Sequence, residues 1–82
     1  MLRSNRPEVR NPVLQLPASQ KLAALPPEAR QALREVLLEL SRSARRQAEK
    51  CWRTHKAPLA VYWKMVAVYS RHLAAVLGNA RT

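Results

Sequence analysis

The sequence contains very little glycine, cysteine and acid: one glycine, one cysteine and five carboxylates in 82 residues. A single glycine, Gly78, excludes the glycine-rich loops that cradle phosphate groups. A single cysteine, Cys51, excludes an intrachain disulfide, and an unpaired thiol is typical of a reducing compartment. No secretory signal pattern is visible, so we expect a cytoplasmic protein.

The scarcity of carboxylates argues against an enzyme, because general acid–base chemistry needs a titratable group in a pocket. Cys51 and His55 are four residues apart and could form a thiolate–imidazole pair. Both fall on a predicted core stripe, however, which favours a buried cysteine and a satisfied histidine. His72 is too distant to complete a zinc site with them. We therefore predict no catalysis, no metal and no cofactor.

Positive charge is abundant, with 15 lysines and arginines and a net charge of +10. Such an excess is typical of proteins that bind nucleic acid, an anionic membrane or an acidic protein surface. A GC-rich genome would also raise the number of arginines and leave a merely basic surface. Codon bias does not, however, explain why many of the cations fall on one side of a helix.

Six of the basic residues lie within one predicted helix and project onto roughly 140° of it at about 100° per residue. We call this set the basic face: Arg42, Arg45, Arg46, Lys50, Arg53 and Lys56. Trp52 lies at its edge, where an aromatic ring could stack on a base. Filling the seam between two helices is the favoured interpretation, with Tyr62 and Trp63 completing one aromatic cluster.

The prolines divide the chain. Three of them within residues 1–17 predict a flexible or extended arm, made basic by Arg3, Arg6 and Arg10. A short helix over about 19–25, capped by Ser19, should follow. Residues 18–82 then form one small helical domain.

Two long helices should dominate that domain. Pro27 suits the first position of a helix over about 27–56, and Pro58 opens a second helix over about 58–77 that ends at Gly78. The helices should be joined by a tight corner at Lys56-Ala57-Pro58. The sequence therefore predicts an all-α, antiparallel helical hairpin.

Each long helix has an apolar stripe, and the second helix has a surplus. The predicted stripes are Leu33, Val36, Leu37, Leu40, Ala44, Ala48, Cys51 and His55 in the first helix, and Leu59, Tyr62, Trp63, Val66, Tyr69, Leu73, Val76 and Leu77 in the second. The surplus flank consists of Val61, Met65, Val68 and His72. It favours a homodimer, a four-helix bundle, over a different protein partner. Lys64 and Arg71 make insertion into a membrane costly.

Residues 52–72 contain three short segments that combine aromatic and basic residues: Trp-Arg-Thr-His-Lys-Ala-Pro, then Tyr62-Trp63-Lys64, then Tyr69-Ser70-Arg71-His72. It resembles short uncharacterised accessory proteins carried by bacterial plasmids, phages and integrative elements. The resemblance implies a bacterial accessory or regulatory role, and it assigns no functional residues.

Together these patterns predict a non-enzymatic module that binds DNA or RNA, mainly through phosphates, using the basic face and the arginines of the arm. The alternative is a protein-interaction module, such as an inhibitor, an adaptor or a small subunit, that docks on an acidic partner. Attachment to anionic lipid is disfavoured because the apolar side of the basic helix is needed for the core.

Overall fold

The computed structural model describes residues 11–79 as a small bundle of helices. Helix α1 spans Pro17–Ala23, α2 spans Pro27–Arg53 and α3 spans Ala57–Asn79. A short 3-10 helix, Pro12–Gln15, precedes them. The long helices α2 and α3 pack against each other along their length, and α1 packs on α3. The prediction of an all-α helical hairpin is confirmed.

Helix α2 begins as its prolines dictate. Pro26 is extended, with ψ of 151°, and Pro27 occupies the first turn, where a missing N–H leaves no broken helical bond. Glu28 adds a negative charge near the positive end of the helix dipole. These residues therefore fix the start of α2, the helix that carries the basic face.

The corner between α2 and α3 ends the first helix at Arg53, three residues before the predicted boundary. The backbone N–H of Lys56 donates to the carbonyl of Cys51 at 2.8 Å, and the N–H of His55 donates to that of Trp52 at 3.3 Å. This pair of bonds is a Schellman turn, which needs a left-handed residue. His55 takes that role with φ of 60°. Lys56 therefore lies beyond the helix.

Small side chains form the seam between α2 and α3. One set of buried or half-buried positions on each helix recurs at alternating spacings of three and four residues, as in a coiled coil. On α2 they are Leu37, Ser41, Ala44, Ala48 and Cys51; on α3 they are Ala60, Trp63, Ala67, Ser70, Ala74 and Leu77. Most of these are alanine or serine, so the two backbones approach closely.

This seam corrects the predicted stripes. In α2, Val36 and Leu40 are exposed, while Ser41, predicted outside the stripe, is buried. In α3, Leu59, Tyr62 and Tyr69 are exposed, and the alanines at 60, 67 and 74 are buried instead. Both helices are rotated from the predicted orientation because close approach selects small residues over large apolar ones.

A buried hydrogen bond joins the two helices at mid-seam. The Ser41 hydroxyl donates to the backbone carbonyl of Ala67 at 2.8 Å. Burying a hydroxyl is costly unless it finds a partner, and here the partner lies on the opposite helix. The bond therefore favours this register of α2 against α3.

The segment before α1 is folded onto α3, which shortens the predicted arm. The side-chain amide of Asn11 donates to the carbonyl of His72 at 2.9 Å. Ser19 does not cap α1 as predicted: it is buried within the helix, and its hydroxyl donates to the carbonyl of Val13. The arm residues Arg3, Arg6 and Arg10 lie outside the described residues.

The end of α3 differs from the prediction at Gly78. The helix continues through this glycine to Asn79, and the φ of Gly78 is not positive. A β-carbon there would lie 2.9 Å from Nε of Arg34 on α2. The glycine thus makes room for an arginine instead of terminating the helix. Neither α2 nor α3 has an apolar stretch of the kind that a bilayer crossing requires.

Candidate nucleic-acid interface

Most of the basic face lies on the side of α2 opposite the seam, while Arg45 lies at its edge, beside Ala67 and Val68 of α3. All six of its side chains, Arg42, Arg45, Arg46, Lys50, Arg53 and Lys56, are exposed. Five belong to the helix, and Lys56 extends the row into the corner. Because the opposite side of α2 forms the seam, the bundle itself keeps these cations in solvent.

The cations of the basic face are free to meet an external anion. Arg46 donates through Nη2 to the hydroxyl of Ser43 at 3.3 Å, a contact that leaves its charge uncompensated. Within residues 11–79, none of the six forms an ion pair with a carboxylate. The acid nearest to these cations along α2 is Glu49, one turn from Arg45 and from Arg53, and because it is ion-paired to neither, the surface keeps an excess of positive charge.

Trp52 does not fill the seam, so the favoured prediction for it is wrong. Its side chain is 65% exposed. Tyr62 and Trp63 form an edge-to-face pair with ring centroids 5.0 Å apart, and Trp52 stands outside that pair. The neighbouring seam positions are occupied by Cys51 and Ala60, which are both buried.

A groove runs along one side of the hairpin beside Trp52. One depression in it has a volume of about 380 Å³ and is lined by Ala48, Glu49, Trp52, Ala60, Val61 and Lys64. A second depression shares Ala48, Glu49 and Lys64 with the first and adds Arg45 of the basic face. The small seam residues make the groove, because a larger side chain at position 48 or 60 would fill it.

The sequence did not predict this groove or the place of Lys64 in it. A usable signal was present: Ala60, Ala67 and Ala74 recur every seven residues, the spacing of a closely packed seam. That period identifies the contact face of α3 and leaves Lys64 at the groove beside it.

The predicted partner flank is only half accessible. Val61 and Met65 are exposed, whereas Val68 and His72 are partly buried. The exposed large apolar residues of α3 all lie between Ala57 and Tyr69, and we call them the open face: Leu59, Val61, Tyr62, Met65 and Tyr69. The later part of the same helix buries Val76.

Cys51 and His55 do not share a helical face as predicted. Cys51 is a buried free thiol in the seam, while His55 lies in the corner with an exposed side chain. In the described part of the chain, no group of three or more His, Cys, Asp or Glu side chains is placed to hold a metal ion.

Comparison with known proteins adds no family assignment. No family model matches the chain, and neither a curated protein nor a solved structure matches it.

Proposed function

We propose that the protein is a non-enzymatic module that binds nucleic acid through phosphate contacts made by the basic face. One observation carries the proposal: six exposed cations, five along α2 and Lys56 in the corner after it, with no acidic residue ion-paired to any of them in residues 11–79. Lysine and arginine side chains displace counterions from a phosphate backbone, and this supplies sequence-independent affinity.

The dimensions of the basic face suit a charged polymer better than a single small anion. From Arg42 to Arg53 the helix rises roughly 16 Å at 1.5 Å per residue. That length of duplex DNA carries about ten phosphate charges. Contacts of this kind position a protein without reading bases, so we expect weak sequence selectivity. The arginines at positions 3, 6 and 10 would add further contacts.

A salt titration tests the proposal. If four to six cations replace counterions on duplex DNA, log K should fall linearly with log salt, with a slope of about −4 to −5. The measurement is fluorescence anisotropy of a labelled duplex with the intact chain over a range of sodium chloride concentrations. A flat response, or no binding at low salt, would contradict phosphate-based binding.

The open face of α3 favours a second interaction, with another copy of the chain. Its five exposed residues are uncharged, and Tyr62, Met65 and Tyr69 share one side of α3, away from the seam alanines. Two copies joined there would make a four-helix core and keep the two basic faces on opposite outer surfaces. That arrangement lowers the repulsion between chains that each carry a net charge of +10.

Replacing Met65 by glutamate should abolish this dimer. A carboxylate buried between two apolar surfaces has no partner and pays its full desolvation penalty. Light scattering should give twice the 9.3 kDa chain mass for the wild type and the chain mass for Met65→Glu. Ala75→Glu is the matched control, because Ala75 is an exposed residue of α3 outside the open face. A monomeric wild type at micromolar concentration would rule out the dimer.

The alternative function is a protein-interaction module, in which an acidic partner protein meets the basic face. Nuclease treatment during purification separates the two: nucleic-acid binding predicts that co-purifying material is lost with the nucleic acid. A cytoplasmic, accessory role in a bacterial mobile element remains a prediction that rests on the resemblance of residues 52–72.

A further inference from the structure

Trp52 lies where the basic face meets the groove. It is seven residues from Arg45, so the two side chains leave α2 on nearly the same line, about 10 Å apart along the axis. Trp52 lines the depression beside Val61 and Lys64, and it also borders a shallow depression at the corner with His55 and Ala57. One indole therefore takes part in two adjoining concave surfaces.

The exposure of this indole has no explanation in the packing of the hairpin. Tryptophan is on average one of the more buried residue types, yet Trp52 leaves 65% of its surface in solvent. The seam beside it is completed by smaller residues. An exposed aromatic ring beside arginines is the arrangement that single-strand binders use to stack bases.

The groove suits a base better than a phosphate. Its floor is apolar, from Ala48 and Ala60, and the depression has a volume of about 380 Å³. Glu49 lines both depressions, and its carboxylate repels an anion but accepts hydrogen bonds from a neutral base. Lys64 lines both depressions and Arg45 lines the second, so the two cations lie at one end of the groove, where they can hold a phosphate next to the base.

We infer that the groove takes an unpaired base of a single-stranded nucleic acid, stacked on Trp52, with an adjoining phosphate held by Arg45 and Lys64. The inference rests on the proposed binding of nucleic acid and adds a strand preference to it. A duplex keeps its bases stacked internally, so along its length it can use the basic face but cannot occupy the groove.

The test compares Trp52→Ala and Trp52→Phe with the wild type on a single-stranded oligonucleotide and a blunt duplex of the same sequence. Loss of one stacking platform should weaken single-strand binding by about 5- to 100-fold. Duplex binding should change less than about twofold. Phenylalanine should restore most of the single-strand affinity, because it also presents a π-face. Running the single-stranded arm with DNA and with RNA shows which backbone is preferred.

Fluorescence gives an independent readout. In a Trp63→Phe background Trp52 is the only emitting tryptophan, and single-strand binding should quench it. Trp63→Phe is also the matched control for affinity, since Trp63 is a half-buried seam residue outside the groove lining. Circular dichroism checks that each variant keeps its helices.

The outcomes distinguish base stacking on Trp52 from phosphate binding by the basic face. Equal losses for both probes, or no loss for either, would overturn stacking on Trp52 while leaving phosphate binding intact. A wild type that binds neither probe at low salt would instead overturn the proposed function, and the groove inference with it.

Discussion

Glutamate at both position 46 and position 53 is expected to lower the affinity for duplex DNA by roughly 100-fold or more. Arg46 and Arg53 are exposed at the centre of the basic face, two helical turns apart. A hydrogen bond to a charged group contributes about 1.5 to 3 kcal/mol. Losing two corresponds to at least about two powers of ten, and the new carboxylates add repulsion. The salt slope should also become shallower by about two.

The control for this double variant is a second one with the same charge. Lys21→Glu with Arg71→Glu changes two exposed cations outside the basic face and gives the same net charge of +6, against +10 for the wild type. Anisotropy titrations of both double variants against one duplex show whether the loss of affinity depends on the location of the cations or only on the total charge. Similar losses in the two doubles would mean that the basic face is no more than part of a generally cationic surface.

Leucine at position 67 is expected to destabilise the fold by about 2 to 3 kcal/mol. Ala67 is 1% exposed at the middle of the seam, and its carbonyl accepts the Ser41 hydroxyl bond. Added methylene groups there must push two closely packed backbones apart, and overpacking of this kind commonly costs 1 to 3 kcal/mol. The melting temperature followed by circular dichroism should fall by roughly 10 to 20 °C.

The matched control is Ala75→Leu, at an exposed position of the same helix. Alanine and leucine have similar helix propensities, so this change should alter stability by less than about 0.5 kcal/mol. If Ala67→Leu were no more destabilising than Ala75→Leu, the close alanine seam would not be the contact that holds the hairpin together.

The number and direction of the helices could be predicted because prolines mark their starts. Pro27 and Pro58 both occupy first turns, where the absence of an N–H costs nothing. The end of α2 could not be placed as well. Its left-handed terminating residue is His55, whereas the residue that usually marks such an end is glycine.

The basic face is easier to recognise in the sequence than the seam between α2 and α3. Exposed cations at helical spacing are readable from the sequence, so the basic face could be found. The seam could not be found from apolar periodicity, because periodicity favours large residues such as Leu40 and Tyr69, and both are exposed. The prediction that Trp52 fills the seam is wrong for the same reason, because it also assumes that large side chains occupy the seam.

The short connection of α2 to α3 also bears on how the chain folds. Only Thr54–Lys56 separate the helices, so pairing can start at the corner and spread outward, each new contact closing a slightly larger loop. Local contacts of this kind are typical of rapidly folding helical proteins. The Ser41 to Ala67 bond spans 26 residues, while the Asn11 to His72 bond spans 61. We therefore expect the N-terminal segment to dock after the hairpin that receives it has closed.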